Sequence, residues 1–483
     1  MAQSLGEAAL DIVGLTCDSR QVRPGYLFVA LKGTRGDGAD FIDDALARGA
    51  TAVLAEPRAF EHRVVPVPVI TDDNPRRQYA LMAARFFRAQ PRTIAAVTGT
   101  NGKTSVVGFV RQMWTRLGRA AAGLGTLGLE SPKFRIDASL TTPDAVVLHR
   151  ALARLADDGV DHLAMEASSH GLDQHRIDGV RLSAAAFTNL TRDHLDYHGT
   201  TERYLAAKRR LFDAVMAPGG AAVLNADTPE FDALAEACRA RGHRVISYGV
   251  ADGAEARRDL SLVRIGRTAA GQRLTIRIGG LKRTVDTQLI GDFQAYNLLC
   301  ALGLVIGCGD GAEEALDVIG DLRGAPRRVE RVATLGNGAA VYVDYAHTPD
   351  ALRALLVALR PYVAGRLSVV FGCGGDRDTG KRAPMGRIAC EQADRVIVTD
   401  DNPRGEDAAL IRAAVLQGCP DAREIGDREA AIVAAMGDLA AGDLLVIAGK
   451  GHETGQIVGD ETIPFDDAAV ARGAAERIGG TES

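Results

Sequence analysis

The chain is poor in cysteine, and none of its seven residues (Cys17, Cys238, Cys300, Cys308, Cys373, Cys390 and Cys419) falls in a C-x-x-C pair. That scatter argues against a zinc ribbon or a disulfide scaffold and fits a reducing cytoplasm. Long apolar runs are missing too, since no stretch approaches the roughly 18 residues needed to span a bilayer. The opening MAQSLGEAALD lacks the basic segment and apolar core of a secretory leader. Neither sign of charge dominates: 57 basic residues stand against 62 acidic ones, a formal net charge of −5. Such a balance argues against a general binder of nucleic acid or anionic membranes, and leaves small anions to local basic sites. The expectation is an intracellular monomer acting on small molecules.

What is present is a globular composition, 46% hydrophobic over 483 residues, too long for one compact core. Short β-rich runs alternate with Ala/Leu/Arg-rich helical stretches, which predicts α/β domains on largely parallel sheets. Three segments are expected: 1–92, closed by a helix over about 76–89 and a Gln90-Pro91 linker; 93–325, ending near Gly324-Ala325-Pro326; and 326–483. Strands are expected at Tyr26–Leu31, Ala52–Leu54, His162–Met165, Ala184–Phe187 and Ala221–Leu224. The run LTIRI at Leu274–Ile278 alternates and marks a small antiparallel excursion over 251–287.

The most informative local pattern is TGTNGKTS, Thr98–Ser105, set between the apolar run Ile94–Val97 and a helix-compatible stretch. Gly99 and Gly102 allow a tight turn in which backbone N–H groups and the helix N-terminus face an anion. Lys103 supplies a mobile charge for terminal phosphates, and the Thr104 hydroxyl suits Mg²⁺. The usual G-x-x-x-x-G-K-[ST] loop has a glycine where this chain has Val97. The loop alone leaves kinases, motors, switches and ligases all open.

Elsewhere, polar residues cluster just past strand ends, where open α/β sheets place ligands. The third segment carries four such units: Ala340–His347, Leu367–Asp378, Val396–Arg404 and Leu444–Glu453. Glu166 stands beyond HLAM, placed to hold Mg²⁺ beside a phosphate loop. Ser168–Arg176 (SSHGLDQHR) follows with donors for phosphate oxygens, or forms a solvated loop. Asp193, His194, Asp196 and His198 make a dense cluster with no H-E-x-x-H or cysteine partner, which disfavours zinc. TDDNPR occurs twice. At Thr71–Arg76 a helix cap at Asp73 or Asn74 with Pro75 in the first turn explains it. At Thr399–Arg404 it leaves an apolar strand, and Arg404 can clamp a carboxylate. Lys208, in YLAAKRR, reads as an ordinary surface-helix lysine.

Taken together, GTNGKTS, MEASSHGLDQHR, FTNLTRDHLDYHG, YLAAKRRLF, VDYAHTPDAL, FGCGGDRDTGKR, TDDNPR and AGKGHE resemble the Mur ligases, in unbroken order from Asp18-Ser19-Arg20 to Glu453. These ligases share the shifted phosphate loop. The resemblance implies an α/β protein of three domains: an N-terminal UDP-substrate domain, a central P-loop-type ATPase with a parallel sheet, and a C-terminal Rossmann-like domain for an amino acid. It implies a ligase that uses ATP and Mg²⁺ to join UDP-N-acetylmuramoyl-L-alanyl-D-glutamate to meso-diaminopimelate through an acyl phosphate, in peptidoglycan precursor synthesis.

By the same resemblance, Gly99, Thr100, Asn101, Gly102, Lys103, Thr104, Ser105, Asn297, Arg328 and Asp344 surround ATP, with Tyr345 and His347 nearby. Thr104 and Glu166 would serve one Mg²⁺, and His194 with a carbamylated Lys208 a second. Cys17, Ser19, Thr34, Arg35, Gly36, Thr141, Thr142, Ser168, Gln174 and Arg176 would hold the uridine nucleotide, with Leu140 replacing an asparagine of some relatives. Arg377, Asp401, Asn402, Pro403, Arg404, Gly449 and Glu453 would form the diaminopimelate pocket. The competing readings are a lysine-adding or folylpolyglutamate-like ligase of the same superfamily, or a nucleotide-dependent switch without ligase activity.

Overall fold

The computed structural model describes residues 11–33, 36–137, 140–250, 258–268, 271–478 and 481–482. Among these, three principal sheets follow one another along the chain. The first is wholly parallel, in the order Gly14–Thr16, Tyr26–Val29, Ala50–Ala55, Val69–Thr71. The helix Pro75–Phe87 packs over it through Tyr79, Ala80 and Ala83.

The central sheet has eleven strands, and its middle is parallel: Leu260–Thr268, Arg244–Val250, Ala221–Asn225, Ala184–Phe187, Thr93–Thr98, His162–Glu166, Ala121–Gly125. Both flanks turn antiparallel, so the sheet is mixed. The expected excursion is present as the meander Leu260–Thr268, Gly271–Ile278, Leu281–Thr287. The other flank, Gly128–Glu130 and Arg135–Ile136, had no expectation. Its strands are too short for a periodicity signal.

Thr93–Thr98 sits mid-sheet with its side chains covered on both faces, which is why TIAAVT reads as a continuous apolar run. One covering layer contains Lys103–Arg116 and the almost wholly buried Asp292–Gly307; the other contains Ala145–Asp157 and Phe231–Ala240. The third sheet runs Arg423–Glu424, Arg395–Val398, Leu367–Phe371, Leu444–Ala448, Ala340–Asp344, Glu330–Thr334, Thr481–Glu482, parallel except at the last two.

Helices start where the sequence offers a cap: Asn74, Asp144, Thr200, Thr348, Asp407, Asp427 and Asp466 each accept from a first-turn N–H. The first TDDNPR is thus resolved, with Asn74 as the cap and Pro75 at the first helical position. Among the described residues no helix is long and apolar enough to cross a membrane.

Candidate active site

The loop after Thr93–Thr98 is fixed by two glycines. Gly99 (φ 146°) and Gly102 (φ 91°) lie in the left-handed region, and a Cβ there would sit 1.9 Å from Thr188 Oγ1 and 2.3 Å from Asn297 Oδ1. Val97 lies inside the strand, in register with Glu166, so the turn begins only at Gly99. The cap residue of the helix Lys103–Arg116 is Gly102, which has no side chain to bond the first-turn N–H groups and leaves them for an anion. Lys103 Nζ donates to the Gly99 and Thr100 carbonyls, at 2.9 Å each. Lost hydration pushes this amine's pKa down, against the fields of Glu166 and Asp193.

Around the loop, oxygen donors converge. Glu166 is 1% exposed and accepts from Thr104 Oγ1 (3.0 Å), Thr126 N (2.8 Å) and Thr126 Oγ1 (3.0 Å). His194 takes a left-handed backbone (φ 53°) that lets its N–H donate to Asp193 Oδ1 at 2.9 Å. Burial opposes charge on Asp193, but His347, His194 and Lys381 outweigh it and hold the carboxyl below its usual range. Burial lowers His194 to about 3, despite Asp193.

Lys208 corrects the surface-lysine expectation. It is 1% exposed, lies 4.1 Å over the Tyr204 ring, and donates to the Gly99 carbonyl at 2.8 Å. Lys103 and Lys208 therefore share one acceptor. Burial first, then the Lys103 charge, drive the Lys208 amine well below its ordinary value. Its burial follows from helix Thr201–Arg210 packing on Ser169–Asp173 and lying beside the loop, a long-range arrangement that YLAAKRR does not encode locally.

Beside the loop opens a cavity of about 450 Å³. Asn101, Gly102, Thr104 and Ser105 line it, as do the expected Asn297, Arg328 and Asp344. Arg328 is presented by an unusual backbone, with Arg327 (φ 57°) and the β-branched Val329 (φ 53°) both left-handed. Its guanidinium stands 4.5 Å over the Tyr345 ring and donates to Thr104 Oγ1 at 3.3 Å, joining the third sheet unit to the phosphate loop. Asp344 accepts from Val329 N and Ala346 N, while burial pushes its carboxyl up. Sequence reasoning missed Asn225, Asp227, Phe293 and Tyr296 on the cavity wall. The strand-end rule would have found the first two, just past Ala221–Leu224.

The residues expected for the uridine nucleotide are only partly gathered. Thr34 and Arg35 lie outside the described residues; Gly36 is exposed. Thr142 Oγ1 donates to the Glu166 carbonyl (3.1 Å) and accepts from Ser168 N and Oγ, both 3.0 Å. Arg176 donates to the Thr142 carbonyl (2.7 Å) and Gln174 Oε1 (2.8 Å). Thr141 reaches the Glu166 group through Thr126 Oγ1 at 3.0 Å. Cys17 connects through Asp144 (3.9 Å), burial lifting its thiol to about 11. Ser19 is buried in the first unit, where its hydroxyl lowers the pKa of the Asp44 carboxyl. Leu140 is 47% exposed and offers no polar contact.

The third sheet's strand ends form a separate cluster. Asn402 Nδ2 donates to Glu453 Oε2 at 2.7 Å, and its Oδ1 accepts from Lys450 Nζ and Ile457 N, both 2.9 Å. Lys450 is completely buried and also lies 3.3 Å from Glu453 Oε2; sequence reasoning overlooked it. At Gly449 a Cβ would lie 2.7 Å from Asp401 Oδ2, so Asp401 packs where a side chain would stand. Arg404 (φ 52°) follows the buried Pro403, is half-buried, and donates to the carbonyls of Gly375 (2.9 Å) and Asn402 (3.4 Å). No carboxylate pairs with Arg404 or Arg377 among the described residues. Burial, then the Arg377 charge, lower the Arg404 pKa against Asp401 and Glu453. Beneath, a fully buried Arg428–Asp467 pair (2.7 and 2.8 Å) ties the ends of two strands through the carbonyls of Ala448 and Asp400.

A phosphate-cradling loop, a hydroxyl–carboxylate pair and a strand-end pocket of mixed charge, carried on successive α/β sheets, define a nucleotide-dependent α/β enzyme. Comparison makes this specific. The signatures described as "Mur ligase family, catalytic domain", "Mur ligase middle domain" and "Mur ligase, glutamate ligase domain" match residues 11–89, 97–305 and 327–451. The chain belongs to the Mur ligase family. It is 54% identical over 472 residues to the UDP-N-acetylmuramoyl-L-alanyl-D-glutamate–2,6-diaminopimelate ligase of Bradyrhizobium diazoefficiens, covering 98% of this chain and 96% of that one. To the ligase of the same name from Caulobacter vibrioides it is 51% identical, over 97% and 96%. A solved structure of a ligase with that name superposes with a TM-score of 0.69 at 33% identity, over 96% and 95%. A MurF ligase from Thermotoga maritima in complex with ADP (TM-score 0.62, 18% identity, 92% and 95%) shares the fold.

Proposed function

We propose that this protein is an ATP-dependent ligase that joins meso-diaminopimelate to UDP-N-acetylmuramoyl-L-alanyl-D-glutamate, working in the cytoplasm as a monomer with no nucleic-acid partner. The observation that carries the amino-acid choice is Arg404: half-buried, beside the second guanidinium of Arg377, and without a carboxylate of its own. Diaminopimelate has a carboxylate and an amine at its far end. Lysine has the amine alone, and would leave Arg404 unpaired. Asp401 and Glu453, which already face the buried Lys450 amine at 4.0 and 3.3 Å, are the carboxylates that would take the ammonium. The proposed domain division is 1–92 for the uridine nucleotide, 93–325 for ATP and 326–483 for the amino acid.

In this reading the γ-carboxylate of the UDP-dipeptide attacks the γ-phosphorus of ATP, giving an acyl phosphate and ADP. The diaminopimelate amine then attacks the acyl carbon and phosphate leaves. Three anions must converge, so the chain's task is positioning and charge compensation. Lys103 and the uncapped helix N-terminus hold the triphosphate, with Asn297, Arg328 and Asp344 around the nucleotide. Thr141, Thr142, Ser168, Gln174 and Arg176, with Cys17, Ser19, Thr34, Arg35 and Gly36, hold the uridine substrate.

The donors at Thr104 and Glu166, 3.0 Å apart, are the hard oxygens that Mg²⁺ prefers and fit one ion. His194 and Lys208 fit a second ion only if the lysine carries an oxygen. Burial and the Lys103 charge favour the uncharged form of the Lys208 amine, the form that adds to CO₂, losing a proton and becoming an anionic carbamate. Mg²⁺, when bound, offsets negative charge between the carboxylate and the phosphates.

The test is phosphate release by the purified chain. Release should require ATP, the UDP-dipeptide and diaminopimelate together, with lysine poorer by about 10⁴-fold in kcat/KM. Release without the UDP-dipeptide, or equal rates with any amino acid, would overturn the proposal.

A further inference from the structure

Arg192 and Asp378 are in none of the ligand-binding sets named above, yet they join the segment carrying Asp193 and His194 to the loop carrying Arg377. Arg192 Nε donates to Asp378 Oδ2 at 3.0 Å and its Nη2 to Oδ1 at 3.2 Å, a two-point fork. The Asp378 side chain is 10% exposed and that of Arg192 52%. The hydrogen bond from Arg192 holds the Asp378 carboxyl below its ordinary range. Gly380 makes room for the fork: a Cβ there would lie 2.4 Å from Arg192 Nη2. Alongside, Lys381 Nζ donates to the His347 carbonyl at 2.8 Å, and His347 Nε2 lies 3.8 Å from Asp193.

Arg377 is exposed and makes no hydrogen bond or ion pair among the described residues, so its own side chain does not hold it in place. Its main chain is pinned on both sides instead. On one side Asp376 N donates to Glu406 Oε1 (2.6 Å) and Asp376 Oδ2 accepts from Gly405 N (3.0 Å), tying the loop to its own sheet unit. On the other side Asp378 ties it to the central unit. The Arg377 charge is felt by both His170 of the central unit and Arg404 of the third.

We infer that the Arg192–Asp378 fork is a positioning contact for the amine-donating substrate: it places Arg377 between the phosphate-loop site and the amino-acid pocket while touching no substrate itself. The inference rests on the ligase reading above. A partly exposed ion pair is weak, so this one can form and break within a catalytic cycle rather than weld the two units together.

The experiment compares Arg192→Gln, Asp378→Asn and the double variant, as full chains, in phosphate-release assays with saturating UDP-dipeptide. Asparagine keeps the Oδ1 acceptor that caps Gly380 N, so Asp378→Asn removes the charge without the turn. Each single variant should raise the KM for diaminopimelate about fivefold, the upper range for an exposed pair. The KM for ATP should stay within about twofold, because a positioning contact on the amino-acid side does not alter nucleotide binding. The double variant should match the singles rather than reach their product of about 25-fold, since partners that act through each other are not additive. Thermal midpoints of all three should stay within about 2–4 °C of the unsubstituted chain, the shift expected for loss of one partly exposed pair. An unchanged KM for diaminopimelate, an equal rise for ATP, multiplying effects, or a fall in midpoint that accounts for the change would each overturn the inference. Failure of the ligase reading has its own signature, namely no phosphate release by the unsubstituted chain when both substrates are added.

Discussion

Replacing Arg404 separates recognition from stability at one position. Arg404→Ala removes a half-buried guanidinium whose proposed partner is the distal carboxylate of diaminopimelate. Its own contacts are two carbonyls, Gly375 at 2.9 Å and Asn402 at 3.4 Å. Main-chain bonds from Arg404 N to the Ile457 carbonyl (3.0 Å) and from Gly459 N to the Arg404 carbonyl (2.8 Å) survive any side-chain change. The left-handed backbone penalty at φ 52° is common to Arg, Lys and Ala, because each carries a Cβ, and it cancels between variants. What remains is one partner of a charge pair, which costs about 2–3 kcal/mol at half burial, the lower end for such truncations. That converts to about 30- to 150-fold in kcat/KM for diaminopimelate. Arg404→Lys should recover only part of it, since an ammonium cannot fork onto a carboxylate. Steady-state phosphate release with diaminopimelate and with lysine is the assay: discrimination should fall by that factor, from about 10⁴-fold to about 10²-fold, through the diaminopimelate rate alone, while the KM for ATP holds. Arg76, the last residue of the other TDDNPR, donates to the Lys32 carbonyl of the first unit and serves as the control. Arg76→Ala should alter thermal stability and leave the KM for diaminopimelate alone. Equal effects of the two alanine variants on that KM, or discrimination undiminished from about 10⁴-fold in Arg404→Ala, would refute the reasoning.

Lys208→Ala should abolish activity, and short carboxylic acids should partly restore it by supplying the missing oxygen ligand; full activity without them would remove Lys208 from the mechanism. Arg428→Met leaves Asp467 buried and unpaired, and should destabilise the chain by about 3–5 kcal/mol in denaturant unfolding; an unchanged midpoint would contradict the packing described. Asp178 is buried beside His175 (3.1 Å) and Arg210 (2.9 Å), which outweigh its burial and depress its carboxyl below the ordinary 3.8. A depressed carboxylate contributes stability that is fully present above the unfolded value and is lost as pH falls through the folded one. Acid unfolding followed below pH about 4 should therefore be less steep in Asp178→Asn; identical acid limbs would sink that assignment.

The features legible in the chain were those written locally. The phosphate loop needs glycines at Gly99 and Gly102, a strand before them and a helix after them, all within a short span. The polar strand ends of the third unit follow from alternation of strand and helix alone. Asn74 announces itself as a cap because Pro75 comes next. The rest depends on contacts distant in sequence. Burial of Lys208 arises where its helix meets the Gly99 carbonyl, 109 residues away in the chain. Lys450 sits between Asn402 and Glu453, and Arg428 meets Asp467 39 residues on. No window of sequence shows that these cations lie inside. Phe293 and Tyr296 stood in an apolar helix whose composition reads as plain core, although its first turn faces the nucleotide cavity.

Oxygen transfer tests the central claim most directly. With a heavy-oxygen label in the γ-carboxylate of the UDP-dipeptide, complete turnover with ATP and diaminopimelate should place one labelled oxygen in each phosphate released, because the acyl phosphate's bridging oxygen leaves with phosphorus. Unlabelled phosphate, its new oxygen drawn from water, would contradict the account.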